Sequence, residues 1–157
     1  MDNRYAPTPP TEAAKALEEL KTLPSLEDTK AQLEAAIKSI KDAIGAVIPE
    51  TAWREQDNGA KANCSKPYDR SDGQSVYLPN SVAARVDISE QEWSAVLAAT
   101  KGAAERIGAI NSQVMQDKSG NHDVRFYGPA GIAIGIGYAG NLVISGYTGC
   151  RLPAAKK

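Results

Sequence analysis

The chain has 157 residues, a length typical of one domain, and a formal net charge of −1 from 18 basic and 19 acidic residues. Because these charges are balanced and spread along the chain, the sequence lacks the basic patch that binds nucleic acid. It also contains no run of about 18 apolar residues, the minimum for a helix that spans a membrane.

The N-terminal part differs from the rest of the chain. We predict that residues 1–24 are a flexible or partly helical spacer, because three prolines stand among the first ten residues and leucines then recur at helical spacing until Pro24. A single α+β domain is predicted over residues 25–153, followed by a short tail over residues 154–157.

Two amphipathic helices are predicted next. The first begins at Ser25, whose spacing to Asp28 matches a capping box, and ends before Pro49. Its apolar residues recur in steps of three and four: Leu33, Ile37, Ile40, Ile44 and Val47. The second begins with the capping box Ser89–Glu92 and ends at Gly108. Such a stripe usually packs on the protein's own sheet, although it also suits a partner or a membrane surface.

From residue 110 onward the apolar period changes to two, which predicts β-strands. Short glycine-rich turns separate these runs, so consecutive strands should pair as an antiparallel meander. One face of the predicted sheet is apolar: Val124, Phe126, Ile132, Ile134, Ile136, Leu142 and Ile144. Because only the two amphipathic helices can cover that face, we predict a two-layer α+β sandwich.

Two glycines, Gly135 and Gly137, fall on the opposite face of this sheet. Glycine weakens a strand unless something lies close against it. The pair therefore fits a flat solvent-facing strand, or else a smooth groove or self-association surface. The surrounding letters match the dinucleotide-binding pattern G-x-G-x-x-G, but a strand follows them, so no helix N-terminus is present to bind a phosphate.

Residues for catalysis or metal binding are scarce. His122 is the only histidine, and Asp123 beside it points to the other face of the strand, so that carboxylate cannot orient the imidazole. We predict that His122 lies at the edge of the core, hydrogen-bonded to the backbone. One histidine and two distant cysteines do not form a zinc site, so we predict no catalytic residue, metal or cofactor. A nucleophilic Cys64–His122 pair stays open.

The two cysteines, Cys64 and Cys150, have only one possible pairing. A disulfide would indicate an oxidising compartment, whereas two buried thiols would suit a cytosolic protein. The bond would close a loop of about 86 residues and tie the irregular middle of the chain to its last strands.

Four short segments carry a family signature. They are Cys64-Ser65-Lys66-Pro67-Tyr68-Asp69, Asp72-Gly73-Gln74 with Tyr77-Leu78-Pro79, Gly120-Asn121-His122-Asp123-Val124-Arg125-Phe126-Tyr127, and Thr148-Gly149-Cys150-Arg151-Leu152-Pro153. Together they resemble the LppA-type lipoproteins of mycobacteria and related actinobacteria. The similarity extends from about Thr29 to Pro153.

This resemblance implies a location. Members of that family are made with a signal peptide and a lipid-modified cysteine, and they are held on the outer side of the cytoplasmic membrane. An oxidising location supports the Cys64–Cys150 disulfide. No catalytic residues are carried over. The lipid-attachment motif is missing from the start of this sequence, so we expect a soluble chain whose membrane anchor lies outside it.

The sequence thus predicts a non-enzymatic binding or interaction module of a cell-envelope lipoprotein, with an envelope protein or small ligand as its unknown partner. The predicted binding surface combines a loop (Tyr68, Asp69 and Arg70) with the outer sheet face (Arg125 and Tyr127), because exposed aromatic and arginine side chains anchor interfaces. The same residues could instead tie the loop to the sheet by hydrogen bonds.

Two other functions stay open from the sequence. One is a carrier or sensor of a small apolar ligand held between the helices and the sheet, which requires an interior cavity. The other, less favoured, is an envelope hydrolase that uses Cys64 or His122.

Overall fold

The computed structural model describes residues 6–157, which form three α-helices and eight β-strands. The helices are α1 (Pro10–Thr22), α2 (Leu26–Val47) and α3 (Glu90–Arg106). The strands are β1 (Trp53–Glu55), β2 (Ala60–Asn63), β3 (Gln74–Tyr77), β4 (Ser81–Ala83), β5 (Asn111–Lys118), β6 (Asn121–Tyr127), β7 (Ala133–Tyr138) and β8 (Leu142–Tyr147). Short 3-10 helices lie at Pro129–Gly131 and Ala154–Lys156. No helix in this part of the chain is long and apolar enough to cross a membrane.

All eight strands belong to one antiparallel sheet. Its main order is β1-β4-β8-β7-β6-β5, in which β5 to β8 form the predicted meander. The open edge of β8 is covered by two short strands: β4 pairs with residues 142–144, and β3 joins the other end through Tyr77 and Tyr147. The β3 strand forms a hairpin with β2. The predicted α+β class is confirmed, and the irregular middle of the chain adds four strands to the meander.

The helices α2 and α3 cover one face of the sheet, as predicted. All seven apolar residues predicted for that face are buried. The α2 helix packs on β8 and α3 packs on β6 and β7, with Ile40, Ile44 and Val96 among the helix residues that are fully or almost fully buried. Side chains therefore fill the space between the two layers.

The helix caps agree with the prediction in part. The capping box of α3 is complete: Ser89 Oγ accepts from the Glu92 N–H at 3.1 Å, and Glu92 Oε1 accepts from the Ser89 N–H at 2.8 Å. In α2, Ser25 Oγ accepts from the Asp28 N–H at 3.1 Å, but the predicted return bond is not formed. Aspartate is one methylene shorter than the glutamate of a standard capping box, so it reaches back less well.

The edge strand β5 differs from what its alternating sequence indicates. All eight of its residues are exposed. The strand lies at the end of the sheet, beyond the area that α2 and α3 cover, so neither of its faces is buried. A register shift between Val114 and Gln116 marks a β-bulge, a common feature of strands at sheet edges.

The first helix packs on the disulfide region. Leu20 of α1 is completely buried in a small apolar cluster with Cys150 and Leu152, and Leu17 and Tyr68 border that cluster. The helical part of the predicted spacer is thus held against the body of the protein. Residues 1–5 lie outside the described residues, and the predicted division into spacer and domain stays a prediction.

Candidate functional site

The disulfide predicted between Cys64 and Cys150 is confirmed, with the two Cα atoms 5.6 Å apart. A Cβ atom at Gly73 would lie 2.5 Å from the Cys150 sulfur, so only glycine leaves room for the bond there. Because the Cys64 sulfur is bonded to another sulfur, it is not available as a nucleophile. The Cys64–His122 pair considered above is therefore excluded.

Three of the predicted binding residues hold the N-terminal segment. Both the N–H and the hydroxyl of Thr8 donate to the Asp69 carboxylate. The Arg70 guanidinium donates to the Thr8 carbonyl at 3.0 Å, and the Tyr68 hydroxyl donates to the Glu19 carboxylate at 3.0 Å. The alternative prediction, that hydrogen bonds from these residues tie the loop to the sheet, names the wrong partner. They tie it to α1 and the segment before α1, which the sequence alone did not pair with this loop.

These contacts change two acid–base equilibria. The hydrogen bond from Thr8 lowers the pKa of Asp69 below its usual value of 3.8, because it favours the ionised carboxylate. Partial burial, with the nearby Glu19 carboxylate, raises the pKa of Tyr68 to about 12. The adjacent Arg151 guanidinium is buried and donates to the carbonyls of Pro129 and Cys150, and its burial lowers its pKa.

Asp69 should contribute to the acid sensitivity of the fold. A carboxyl whose pKa is lower in the folded than in the unfolded chain stabilises the fold above the unfolded value, and this is lost as pH falls through the folded value. We therefore expect the free energy of unfolding to decrease below about pH 4, and to decrease less steeply in Asp69→Asn. Urea unfolding of both proteins between neutral pH and about pH 2 measures this, and equal slopes would contradict it.

His122 lies at a second polar cluster. Its ring stacks on Trp93, with centroids 4.6 Å apart, and is buried. Its Nδ1 lies 3.1 Å from an Asp117 oxygen, and its Nε2 lies 2.9 Å from a Glu90 oxygen. Each ring nitrogen thus faces a carboxylate oxygen at hydrogen-bonding distance. The hydrogen bond from His122, with a further one from the Gly120 N–H, lowers the pKa of Glu90.

The position predicted for His122 is confirmed, but its predicted backbone partners are wrong. Its partners are carboxylates on α3 and β5, because the β5–β6 turn places Asp117 across from it and α3 begins directly above. Both ring nitrogens are engaged, so neither is left to act on a substrate. In the part of the chain that the structure describes, no three acidic, histidine or cysteine side chains are grouped as metal ligands.

Replacing His122 should destabilise the fold. His122→Ala removes the stacking on Trp93 and the contacts with two carboxylates, so we expect the free energy of unfolding to fall by about 2–3 kcal/mol. Urea unfolding measures this loss. Asp123→Ala, one residue along on the exposed face, is the matched control and should cost under about 0.5 kcal/mol. If His122→Ala also lowers the free energy of unfolding by less than about 0.5 kcal/mol, the cluster has no structural role.

The outer face of the sheet carries a groove of about 560 Å³. Its floor is the backbone of β7 and β8 around Gly135 and Ser145. One wall comes from the connections that flank β2 and β3, and the other from β5 and β6. The lining side chains include Asp57, Tyr77, Asn80, Met115, Asp123, Arg125, Ser145 and Tyr147. This is the size range of small-ligand sites.

Two tyrosines and one arginine dominate this groove. The rings of Tyr77 and Tyr147 stack with centroids 4.2 Å apart. Partial burial and the neighbouring Tyr147 raise the pKa of Tyr77, while the positive charge of Arg125 acts in the opposite direction. The guanidinium of Arg125 makes no hydrogen bond or ion pair within residues 6–157. Its donors are therefore not used by the residues that the structure describes.

The predicted binding residues thus separate into two places. Arg125 lines the groove, whereas Tyr127 lies exposed on the same sheet face outside the residues that line it. Tyr68, Asp69 and Arg70 are engaged with the N-terminal segment. The stacked tyrosines escaped the sequence reasoning because their pairing depends on β3 joining β8. In the sequence, only Gly135 and Gly137 on the outer face indicated such a groove, and a groove is present there.

These features define a two-layer α+β domain with one disulfide and a groove on the sheet face that α2 and α3 leave open. The chain belongs to the LppA family, described as a lipoprotein confined to pathogenic Mycobacterium, whose family model matches residues 1–154. The resemblance stated from the sequence is confirmed. Because the family is one of lipoproteins, the protein is associated with the cell envelope.

Solved structures share this fold. The crystal structure of the putative lipoprotein LppA from Mycobacterium tuberculosis is 18% identical and has a TM-score of 0.71, over 92% of this chain and 89% of that one. A DUF4853 family protein from Actinomyces odontolyticus is 16% identical with a TM-score of 0.58, over 85% of this chain and 72% of that one. At these identities the likeness shows the fold alone. A comparison with curated proteins gives no match.

Proposed function

We propose that this chain is the extracytoplasmic domain of a cell-envelope lipoprotein and that it acts as a non-enzymatic binding module through its outer-face groove. A lipid anchor holds it to the outer side of the cytoplasmic membrane. Membership of a lipoprotein family supports this proposal, and so does the disulfide, since such bonds persist in oxidising compartments.

One observation carries the proposal. The groove places Arg125, which makes no hydrogen bond or ion pair among residues 6–157, beside two stacked aromatic rings on the sheet face that α2 and α3 leave open. Arginine and tyrosine are the residues that most often supply binding energy at recognition sites.

The rival functions have less support. A carrier of an apolar ligand between the layers would need space there, but the residues that face each other, including Ile40, Ile136 and Ile144, are fully buried and in contact. A hydrolase that uses Cys64 or His122 would need a free sulfur or ring nitrogen. The disulfide and the two carboxylates occupy both.

Retention from a mycobacterial cell-envelope extract tests the proposal. The immobilised protein should retain at least one component reproducibly, and both Arg125→Ala and Tyr77→Ala should reduce its amount strongly. Arg106→Ala, at an exposed arginine on α3, is the matched control and should retain the component. Circular dichroism checks that each variant is folded.

A second variant separates the groove from the loop. A Tyr68→Ala/Arg70→Ala double variant removes the loop side chains that hold the N-terminal segment and leaves the groove intact. It should retain the component as the unchanged protein does. If the groove variants retain it and the loop variant loses it, the proposed surface is wrong.

A further inference from the structure

We infer that the groove binds a polyhydroxylated ligand, a segment of a neutral glycan, with one sugar ring packed against the exposed face of the Tyr77–Tyr147 pair. This inference rests on the proposed function, because it names the ligand class of the same groove. It follows from three observations: the chemical groups of the lining, the length of the groove, and the paired backbone of the strands beneath it.

The lining mixes donors and acceptors without a net positive charge. Two carboxylates (Asp57 and Asp123) accept hydrogen bonds, the guanidinium of Arg125 donates them, and the amide of Asn80 and hydroxyl of Ser145 do both. A phosphate or carboxylate ligand would be repelled by the two aspartates, with one arginine to offset them. An apolar ligand would leave these groups without partners. Sugar hydroxyls, which donate and accept, satisfy all of them.

The tyrosine pair, together with Leu78 and Met115, makes much of the lining apolar. Tyr77 is 49% exposed although its ring stacks on that of Tyr147. The C–H face of a sugar ring is apolar while its edge carries hydroxyls, so it can cover an aromatic ring and reach polar groups at the same time. Arg125 and Ser145 line the same groove and offer polar groups to those hydroxyls.

The groove continues along the sheet, as a binding site for a chain would. A second volume of about 430 Å³ adjoins the first and shares Asn80, Asp123, Gly135 and Ser145 with it. Beyond these shared residues its lining combines three amides (Gln116, Asn121 and Asn141) with apolar residues such as Val143. A groove that continues past Ser145 with amides among apolar positions suits several linked sugar units better than one compact ligand.

Glycine makes this floor accessible. A Cβ atom at Gly135 would lie 2.4 Å from Ser145 Oγ, so the glycine allows the serine hydroxyl to lie over the strand. At Gly137 the nearest atom to such a Cβ would be 3.5 Å away, so a side chain fits there but would project into the groove. The two positions give a narrow passage along β7 in which a ligand can approach the backbone.

The backbone itself argues against an extended peptide as the ligand. Peptides that add to sheets pair with the open edge of a strand. Here the groove lies over β6, β7 and β8, which pair with one another along their whole length, so their backbone groups are already engaged. Recognition must therefore come from side chains, which is how hydroxyl-rich ligands are bound.

Titration of the ¹⁵N-labelled protein with neutral hexasaccharides tests the inference. The probes are the hexamers of α-1,4-glucose, α-1,6-mannose, α-1,5-arabinose and β-1,4-N-acetylglucosamine. At least one should shift amide resonances of β7 and β8 around Gly135 and Ser145 in a saturable way. Tyr77→Ala should weaken that binding roughly tenfold. Gly137→Val should abolish contact along β7 while the protein keeps its thermal stability, because valine suits a strand.

Controls separate this inference from the proposal beneath it. Tyr127→Ala removes an exposed tyrosine of the same sheet face outside the groove, and it should bind the glycan normally. Inositol hexaphosphate and a mixed-sequence decapeptide should leave the groove resonances unchanged. If either shifts them, or if none of the four hexamers does, the glycan inference is overturned. If an envelope component is still retained through Arg125 and Tyr77, the proposed binding function stands even though the glycan inference fails.

Discussion

Breaking the Cys64–Cys150 disulfide is expected to lower the free energy of unfolding by about 4–5 kcal/mol. The bond joins residues 86 positions apart, and in the chain-entropy model a loop of that length restricts the unfolded chain strongly. Proteins of this size are stable by only about 5–15 kcal/mol, so the bond should supply a large share of the total.

The effect should be visible in the melting temperature. We expect a decrease of roughly 10–20 °C for a Cys64→Ser/Cys150→Ser double variant, measured by calorimetry or circular dichroism. Reduction of the unchanged protein should give the same decrease, and the reductant should have no effect on the double variant. A decrease below about 3 °C would mean that the helices and the sheet hold the mid-chain segment without the bond.

Leu20→Ala is expected to detach α1 from the body of the protein. Leu20 has no exposed surface and packs beside Cys150 and Leu152, so its truncation should cost about 2–5 kcal/mol. Because this cluster is separate from the main core, we expect the loss to act first on α1. Amide hydrogen exchange in Pro10–Thr22 should speed up strongly, while exchange in β7 and β8 changes little.

Leu17 is the matched control for that substitution. It lies one turn earlier on the same helix and is only partly buried, so Leu17→Ala should have a much smaller effect on the same amides. If α1 were only a spacer that rests on the surface, the two variants would behave alike. Equal and small effects would therefore contradict the packing described here.

The local features of this fold were predictable from the sequence, because periodicity and capping depend on neighbours in the chain. The stripe of α2 and the alternation in β6 to β8 gave the two layers directly. The contacts of His122 and Asp69 were not predictable. Glu90 lies 32 positions from His122, and Thr8 lies 61 positions from Asp69.

The groove was predictable only in outline. Gly135 and Gly137 marked a strand without side chains on one face, which indicates close approach by something else. One wall comes from a different part of the chain: Tyr77 reaches the sheet through one pairing with Tyr147, and no periodic pattern encodes that long-range register. The leucine spacing predicted a helix in the N-terminal segment, but it does not specify the surface on which that helix packs.

The most direct test of a recognition surface on the open sheet face is amide hydrogen exchange, recorded with and without a mycobacterial cell-envelope extract. Protection should increase in Ala133–Tyr138 and Leu142–Tyr147 and stay unchanged in the three helices. The Arg125→Ala variant should show no such increase. Protection confined to the helices, or to the loop around Tyr68, would contradict the account.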